Sequence, residues 1–463
     1  TGSAGGLRAR IAKHQETREG RMSHATRLTV SRLFLTTAFL VLLTSVPDQA
    51  AASTPWLHVE GKWIKDDAGN NVVLRGVSLT DIRVADQLRP GESARSIIDR
   101  VTDDTNGWYA KVIRLPIAPD GVEGVAGWNQ DPDYYFNNHL KPAVDHCVAK
   151  GLYVIIDFHY VSDYNSSAID QSVRNFWSYV APRFADVPNV IFEPFNEPIR
   201  PLSWSAWKSV VQPWVDIIHA AAPNNLILVG APQWSQLTAG AINDPIGPLD
   251  KVAYVCHIYP IHSEVNWDFY FGETSNHRPV VLTEWGYQSP GDSVVQGRTT
   301  GYGQLFKSYV EARENMGWVA WVADYSWQPV IFDRSMNLLG GKNHMGQFLK
   351  DWLFEKRDSH LAGGRPDPDP DRMSPPADLD ASKSGRRVTL TWHDSAGNEE
   401  GFYVERSPFK AGVFVRVASL PADSTSFSER VEEKGKYLYR ITAFNRTTRR
   451  ESDYSNTVKI GVK

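Results

Sequence analysis

The chain has 463 residues, more than one ordinary domain needs, so two folded units are expected. Its formal charge of −4 hides an uneven spread, because residues 1–52 hold seven Lys/Arg against three Asp/Glu and leave a mildly acidic body. That balance argues against nucleic acid or another polyanion as a partner, and the two cysteines, which stand in no metal-like spacing, give no zinc site.

The basic excess belongs to an export signal. Arg27 and Arg32 precede the apolar run Leu33–Leu43, and Ala50-Ala51-Ala52 supplies a small-residue cleavage site. Residues 22–52 therefore read as a secretory signal peptide, with Met22 as the natural start and residues 1–21 as upstream sequence. The apolar run is too short to span a bilayer, which takes about 20 residues. A secreted protein is expected, with no stable membrane insertion after cleavage.

From residue 53 to 361 short apolar or β-branched runs alternate with helical patterns, as parallel strands with crossover helices do. Eight strands are predicted, at 72–79, 111–117, 153–159, 189–197, 226–230, 252–259, 280–287 and 318–324. Most are nearly continuous hydrophobic runs, the pattern of strands buried on both faces. The count and length fit a (β/α)8 barrel of the α/β class. Amphipathic stretches at 143–150 and 204–223 supply two of its helices; Trp204, Trp207 and Trp214 in the second are spaced for core packing. Cys147 falls in a helical pattern and Cys256 in a strand, leaving open one disulfide or two buried free thiols.

Residues 362–376, AGGRPDPDPDRMSPP, cannot form a core and read as an extended linker. Beyond it, residues 377–463 carry short alternating runs such as VTLTW, FYVERS and YLYRITAFN, the signature of a small all-β sandwich. This segment resembles a fibronectin type III domain, with Trp392 at the core tryptophan and Tyr437 at the tyrosine corner. The resemblance implies a spacer more than a binding module.

In a barrel the reactive groups sit at the C-terminal ends of the strands. There the sequence places Arg114, Asp157 with His159, Asn196 with Glu197, His257 with Tyr259, Glu284, and Trp321 with Asp324. Two carboxylates facing one cavity are the minimum for glycoside hydrolysis: one is protonated to release the leaving oxygen while the other attacks or activates water. The pair should therefore have pKa values pushed apart. Trp321 suits a flat platform for a sugar face, with Trp234 and Trp285 as weaker candidates. No compact His spacing indicates a metal, and no G-x-S-x-G or phosphate-loop motif is present, so neither metal nor cofactor is expected.

LRGV (74–77), VIRLP (112–116), DFH (157–159), FEPFNEP (192–198), HIY (257–259), TEWG (283–286) and AWVAD (320–324) together resemble glycoside hydrolase family 5. The resemblance implies Glu197 as acid/base and Glu284 as nucleophile of a retaining reaction. It also implies Asn196 on the sugar 2-hydroxyl, His159 on the same sugar, and Arg114, His257 and Tyr259 around the nucleophile. The substrate it implies is a β-linked polysaccharide, a β-1,4-glucan first and a mannan second, cut in endo fashion; a monomer is expected. A non-catalytic carbohydrate-binding barrel is the alternative of another class, against which both glutamates are present.

Overall fold

The computed structural model describes residues 54–363, 375–396, 399–409, 414–447, 450–452 and 454–462. The signal segment and most of the linker lie outside them. Among the described residues no helix is long and apolar enough to cross a membrane.

Eight parallel strands close a barrel in chain order: β1 Arg75–Ser78, β2 Val112–Ile117, β3 Tyr153–Phe158, β4 Val190–Glu193, β5 Ile227–Val229, β6 Val252–Ile258, β7 Val280–Trp285 and β8 Gly317–Ala320. All eight expected strands are present. Each is shorter than its apolar run, and in all but β2 the run continues past the strand end into the loop that carries the chemistry. β4 stops at Glu193, and Asn196 and Glu197 lie beyond it, the latter in a two-residue ladder where Val161 faces Glu197. Likewise β8 stops at Ala320, before Trp321.

Gly76 is what lets β1 close against β2: a Cβ there would stand 1.7 Å from the Val112 carbonyl oxygen. The expected helices run over Lys141–Ala149 and Trp204–Ala221, the latter capped by Ser203, whose hydroxyl accepts from the Ala206 amide. Trp207 and Trp214 are fully buried as core, whereas Trp204 is half-buried and donates its indole N–H to the Asp244 carbonyl at 2.8 Å.

The barrel interior sets the site. Inward-facing Val112, Ile155, Ile191, Val255 and Val281 form one apolar core with Leu57, Val59 and Ile64 of an N-terminal antiparallel sheet. Two residues further up the same strands, where the pleat faces inward again, stand Arg114, Asp157, Glu193, His257 and Thr283. The outward residues, Ile113, Val154, Ile156 and Phe192 among them, pack against the helices in a second core. Cys147 and Cys256 are buried free thiols.

The C-terminal segment forms antiparallel sheets of three strands (Ala377–Ser384, Arg387–His393, Ser426–Arg430) and five (Gly401–Pro408, Val415–Pro421, Gly435–Asn445, Arg450–Glu451, Val458–Val462). Trp392 lies in their shared core, and the Tyr437 hydroxyl donates to the Glu433 carbonyl at 3.0 Å. The strand at 377–384 escapes a reading by pattern because Leu379 alone of its eight side chains is buried.

Candidate active site

Arg114 organises the floor of the site. Its guanidinium, fully buried on β2, donates to both oxygens of Glu193 at 2.9 and 3.1 Å, to Glu284 Oε1 at 3.0 Å and to Asn196 Oδ1 at 2.6 Å. Nη2 also lies 2.9 Å from Asp157 Oδ2. A planar fork can satisfy this many acceptors, which a lysine ammonium cannot. Three carboxylates around one cation raise the Arg114 pKa against the opposing cost of burial.

Glu284 is held at both oxygens, since Oε2 accepts the Tyr259 hydroxyl at 2.7 Å. Burial alone would raise its pKa, but the charges of His257, Arg114 and His159 and the Tyr259 hydrogen bond lower it. Glu197 moves the other way: desolvation and the charge of Glu284 raise it, opposed by the hydrogen bond and charge of His257. The two carboxyls thus sit on opposite sides of the ordinary glutamate value.

His257 bridges the pair. Its Nδ1 lies 2.9 Å from Glu197 Oε1 and 3.7 Å from Glu284 Oε2. Its Nε2 lies 3.0 Å from Thr283 Oγ1, which spends its own proton on Glu193 Oε1 at 3.1 Å and so accepts from the imidazole. Burial lowers the imidazole pKa, yet Glu284, Glu193 and Glu197 together push it up to about 10. Glu193 is correspondingly held down to about 2: burial raises it, but Arg114 and His257 outweigh that cost.

One oxygen from each glutamate and the His257 ring nitrogen all fall within 4.8 Å of one another. That spacing is small enough for a metal, but the groups already hydrogen-bond to each other and to Tyr259. Carboxylate oxygens this close leave less room for a water between them than the separation of about 6.5–9.5 Å that inverting enzymes keep.

These groups open onto a cleft of about 730 Å³, also lined by His159, Gln233, Trp234, Gln236, Tyr270 and Trp321. The His159 ring stacks on Trp321 at 5.3 Å and 8°, with its Nδ1 2.7 Å from Asp157 Oδ2. All eight expected site residues therefore meet in one place. Trp234 is 40% exposed on the rim, but Trp285 is fully buried against Phe306, Trp318 and Trp352 and offers no platform. Asp324 pairs with Arg89 at 2.6 Å.

Glu193 and Thr283 were not picked out by sequence reading. Their signal was the inward row: each lies two residues beyond a core residue, Ile191 or Val281, at the height of Arg114.

The fold and this site together define an eight-stranded α/β barrel with a paired-carboxylate cleft at its strand ends. A model of the cellulase family, glycosyl hydrolase family 5, matches residues 65–326, and the chain belongs to that family. Endoglucanase E-5 of Thermobifida fusca is 28% identical over 279 residues, 57% of this chain and 55% of that protein. Endoglucanase Z of Dickeya dadantii is 31% identical over 195 residues, 41% and 42% of the two. The chain thus spans about half the length of these relatives. Among solved structures, the catalytic domain of Thermobifida fusca endoglucanase Cel5A matches with a TM-score of 0.54 at 25% identity, over 64% of this chain and 96% of that one. A β-glucanase from Saccharophagus degradans, at 24% identity and a TM-score of 0.57 over 66% and 94%, shares the fold.

Proposed function

We propose that the chain is a secreted, retaining endo-β-1,4-glucanase with Glu197 as acid/base and Glu284 as nucleophile. The observation that carries this reading is a pair of glutamates, one oxygen of each within 4.8 Å of the other, at the mouth of one cleft, in surroundings that push their pKa values in opposite directions. In the first step Glu284 attacks the anomeric carbon, the bond to the leaving sugar breaks, and Glu197 gives its proton to the departing oxygen. In the second step Glu197, now a carboxylate, takes a proton from a water whose oxygen attacks the anomeric carbon and displaces Glu284. Both side chains return to their starting states.

The other residues act around this exchange. Asn196, anchored by Arg114, faces the sugar 2-hydroxyl, where a hydrogen bond that tightens in the transition state lowers the barrier. His257 sets the proton balance between the glutamates. His159 and Trp321 form a wall for the reacting ring.

A glucan is favoured by the endoglucanases of Thermobifida fusca and Dickeya dadantii among its relatives, and by the Thermobifida fusca Cel5A variant solved with cellotetraose. Endo action is supported by a cleft whose rim carries exposed Val161, Trp234, Ile261 and Val294, room for a chain to pass. The C-terminal sandwich is read as a fibronectin type III spacer and the protein as a monomer.

Reducing-sugar release from carboxymethylcellulose, mixed-linkage β-glucan, xyloglucan and galactomannan tests the proposal. Faster release from the unbranched glucans is expected, with Glu284→Gln inactive and Glu197→Gln slowed by about a hundredfold or more. Release from galactomannan alone overturns the glucan assignment in favour of a mannanase.

A further inference from the structure

Trp327 lies beyond the cleft walls described so far, on the segment after β8. Its ring centroid is 5.7 Å from that of Trp321 and 6.3 Å from that of His159, tilted 38° and 31° to them. The three rings cluster together, and Gln328, the next residue, lines the cleft. The step from Trp321 to Trp327 is about the length of one pyranose unit.

A half-buried tryptophan on a loop ordinarily keeps rotamer freedom, which a binding platform loses at a cost on contact with ligand. Trp327 is instead fixed at both ends. Its backbone N–H donates to Asp324 Oδ2 at 3.0 Å, and its indole N–H donates to Glu123 Oε1. Those two carboxylates are joined by Arg89, a buried guanidinium forked onto each: Nε and Nη2 to Asp324 at 2.6 and 2.8 Å, Nη1 and Nη2 to Glu123 at 3.0 Å. Glu123 reaches this position from a tight turn in which Val122 and Val125 exchange backbone hydrogen bonds and both Glu123 and Gly124 have positive φ, 52° and 79°. The indole is thus held by hydrogen bonds at both ends as well as by packing against Trp321, and the charge-assisted, bidentate triad behind those bonds fixes their geometry.

We propose that Trp327 is a second sugar platform, stacking on the apolar face of the equatorially substituted pyranose next to the one whose bond is cut. Arg89 and Glu123 are the positioning residues that hold it rigid. The platform rests on the polysaccharide reading above and extends it: it assigns part of the affinity to sugars on the Trp321 side of the glutamates, away from Trp234.

Kinetics on two aryl glycosides test this, an aryl β-glucoside filling only the reacting position and an aryl β-cellobioside reaching one further, together with calorimetric binding of cellotetraose. In Trp327→Ala, KM for the cellobioside and Kd for cellotetraose rise about five- to tenfold, the loss of one aromatic contact. The glucoside is unaffected. Trp327→Phe recovers most of the loss, and Glu123→Gln, which retains an oxygen acceptor, recovers more than Glu123→Ala. An unchanged cellobioside KM in Trp327→Ala overturns the platform, as does an equal loss on both glycosides, which would mark a structural role. Failure of the underlying reading looks different: the unmutated protein would then cleave and bind no cello-oligosaccharide. If it cleaves manno-oligosaccharides instead, the same mono- and disaccharide comparison in that series decides the platform.

Discussion

The hydroxyl of Tyr259 donates to Glu284 Oε2 at 2.7 Å, the oxygen opposite the one that Arg114 holds. A hydrogen bond to the ionised form stabilises it, and here it adds to the charges of His257 and Arg114 in keeping Glu284 a carboxylate despite burial. The acid limb of the pH–rate profile, where the nucleophile is protonated and lost, is therefore expected below the ordinary glutamate range. In Tyr259→Phe the Glu284 pKa rises, so that limb moves to higher pH and kcat falls by about tenfold, a cost in line with one charge-assisted hydrogen bond. Profiles of kcat/KM for the two proteins, measured side by side, check the direction; an unmoved acid limb would remove Tyr259 from this role.

The two glutamates should separate by leaving group. Glu197→Gln removes the proton donor, which costs about 10²–10⁴ in rate on a glucan whose leaving oxygen must be protonated. On a dinitrophenyl glycoside, whose leaving group departs as a stable anion, formation of the glycosyl-enzyme needs no acid and the loss is much smaller. Glu284→Gln removes the attacking carboxylate and is inactive on both. The assignment is reversed if the Glu284 variant, and not the Glu197 variant, keeps the activated substrate.

Much of this was legible in the sequence because a parallel barrel buries its strands on both faces, and each becomes an uninterrupted apolar run ending in polar residues. That same continuity hides the pleat. Glu193 sits within FEPFNE, where the eye stops at Glu197, yet it lies two residues beyond Ile191 on the inward row and accepts two hydrogen bonds from Arg114. Trp285, adjacent to the nucleophile in sequence, turns outward into the helical layer for the same reason. The glycines of the motifs record close approaches that sequence cannot display. A Cβ on Gly286 of TEWG would meet the Trp321 carbonyl oxygen at 2.7 Å. The Trp327–Glu123 contact joins residues 204 apart through two loops, and no periodicity reports on loops.

Glu193 gives a stability prediction of its own. In Glu193→Ala, Arg114 loses two of its buried acceptors and keeps its charge. Truncating one partner of a buried pair costs about 3–5 kcal/mol, because the remaining charge is left poorly compensated. Urea denaturation should show that loss. Activity should fall with it even well below the transition, since Arg114 also anchors Asn196 and Glu284. A variant as stable as the parent would mean that Asp157 and Glu284 suffice to hold the guanidinium.

Cys147 and Cys256 are buried free thiols whose desolvation raises both pKa values above the ordinary thiol range. Thiolate is the reactive form. A thiol reagent should therefore label neither in the native protein and both in denaturant, and a reductant should leave the melting temperature unchanged.

His257 makes the fold itself sensitive to pH. Burial disfavours the imidazolium, but Glu284, Glu193 and Glu197 push its pKa up to about 10, against about 6.5 in an unfolded chain. Between those values the folded state binds a proton that the unfolded state releases, so raising the pH destabilises the fold. The contribution is complete below about 6.5 and is lost as the pH climbs through 10. Glu193, held down to about 2, acts oppositely, adding stability above the unfolded glutamate range that is lost only in strong acid. The two windows do not overlap. Replacing His257 with Gln removes the proton site and leaves hydrogen-bonding atoms in place, so the melting temperature of the parent should exceed that of His257→Gln by most at pH 6. The gap should narrow steadily to pH 10. A gap that stays constant across that range would mean that His257 is neutral in the folded protein and that Glu197 alone carries the shared proton across their 2.9 Å contact.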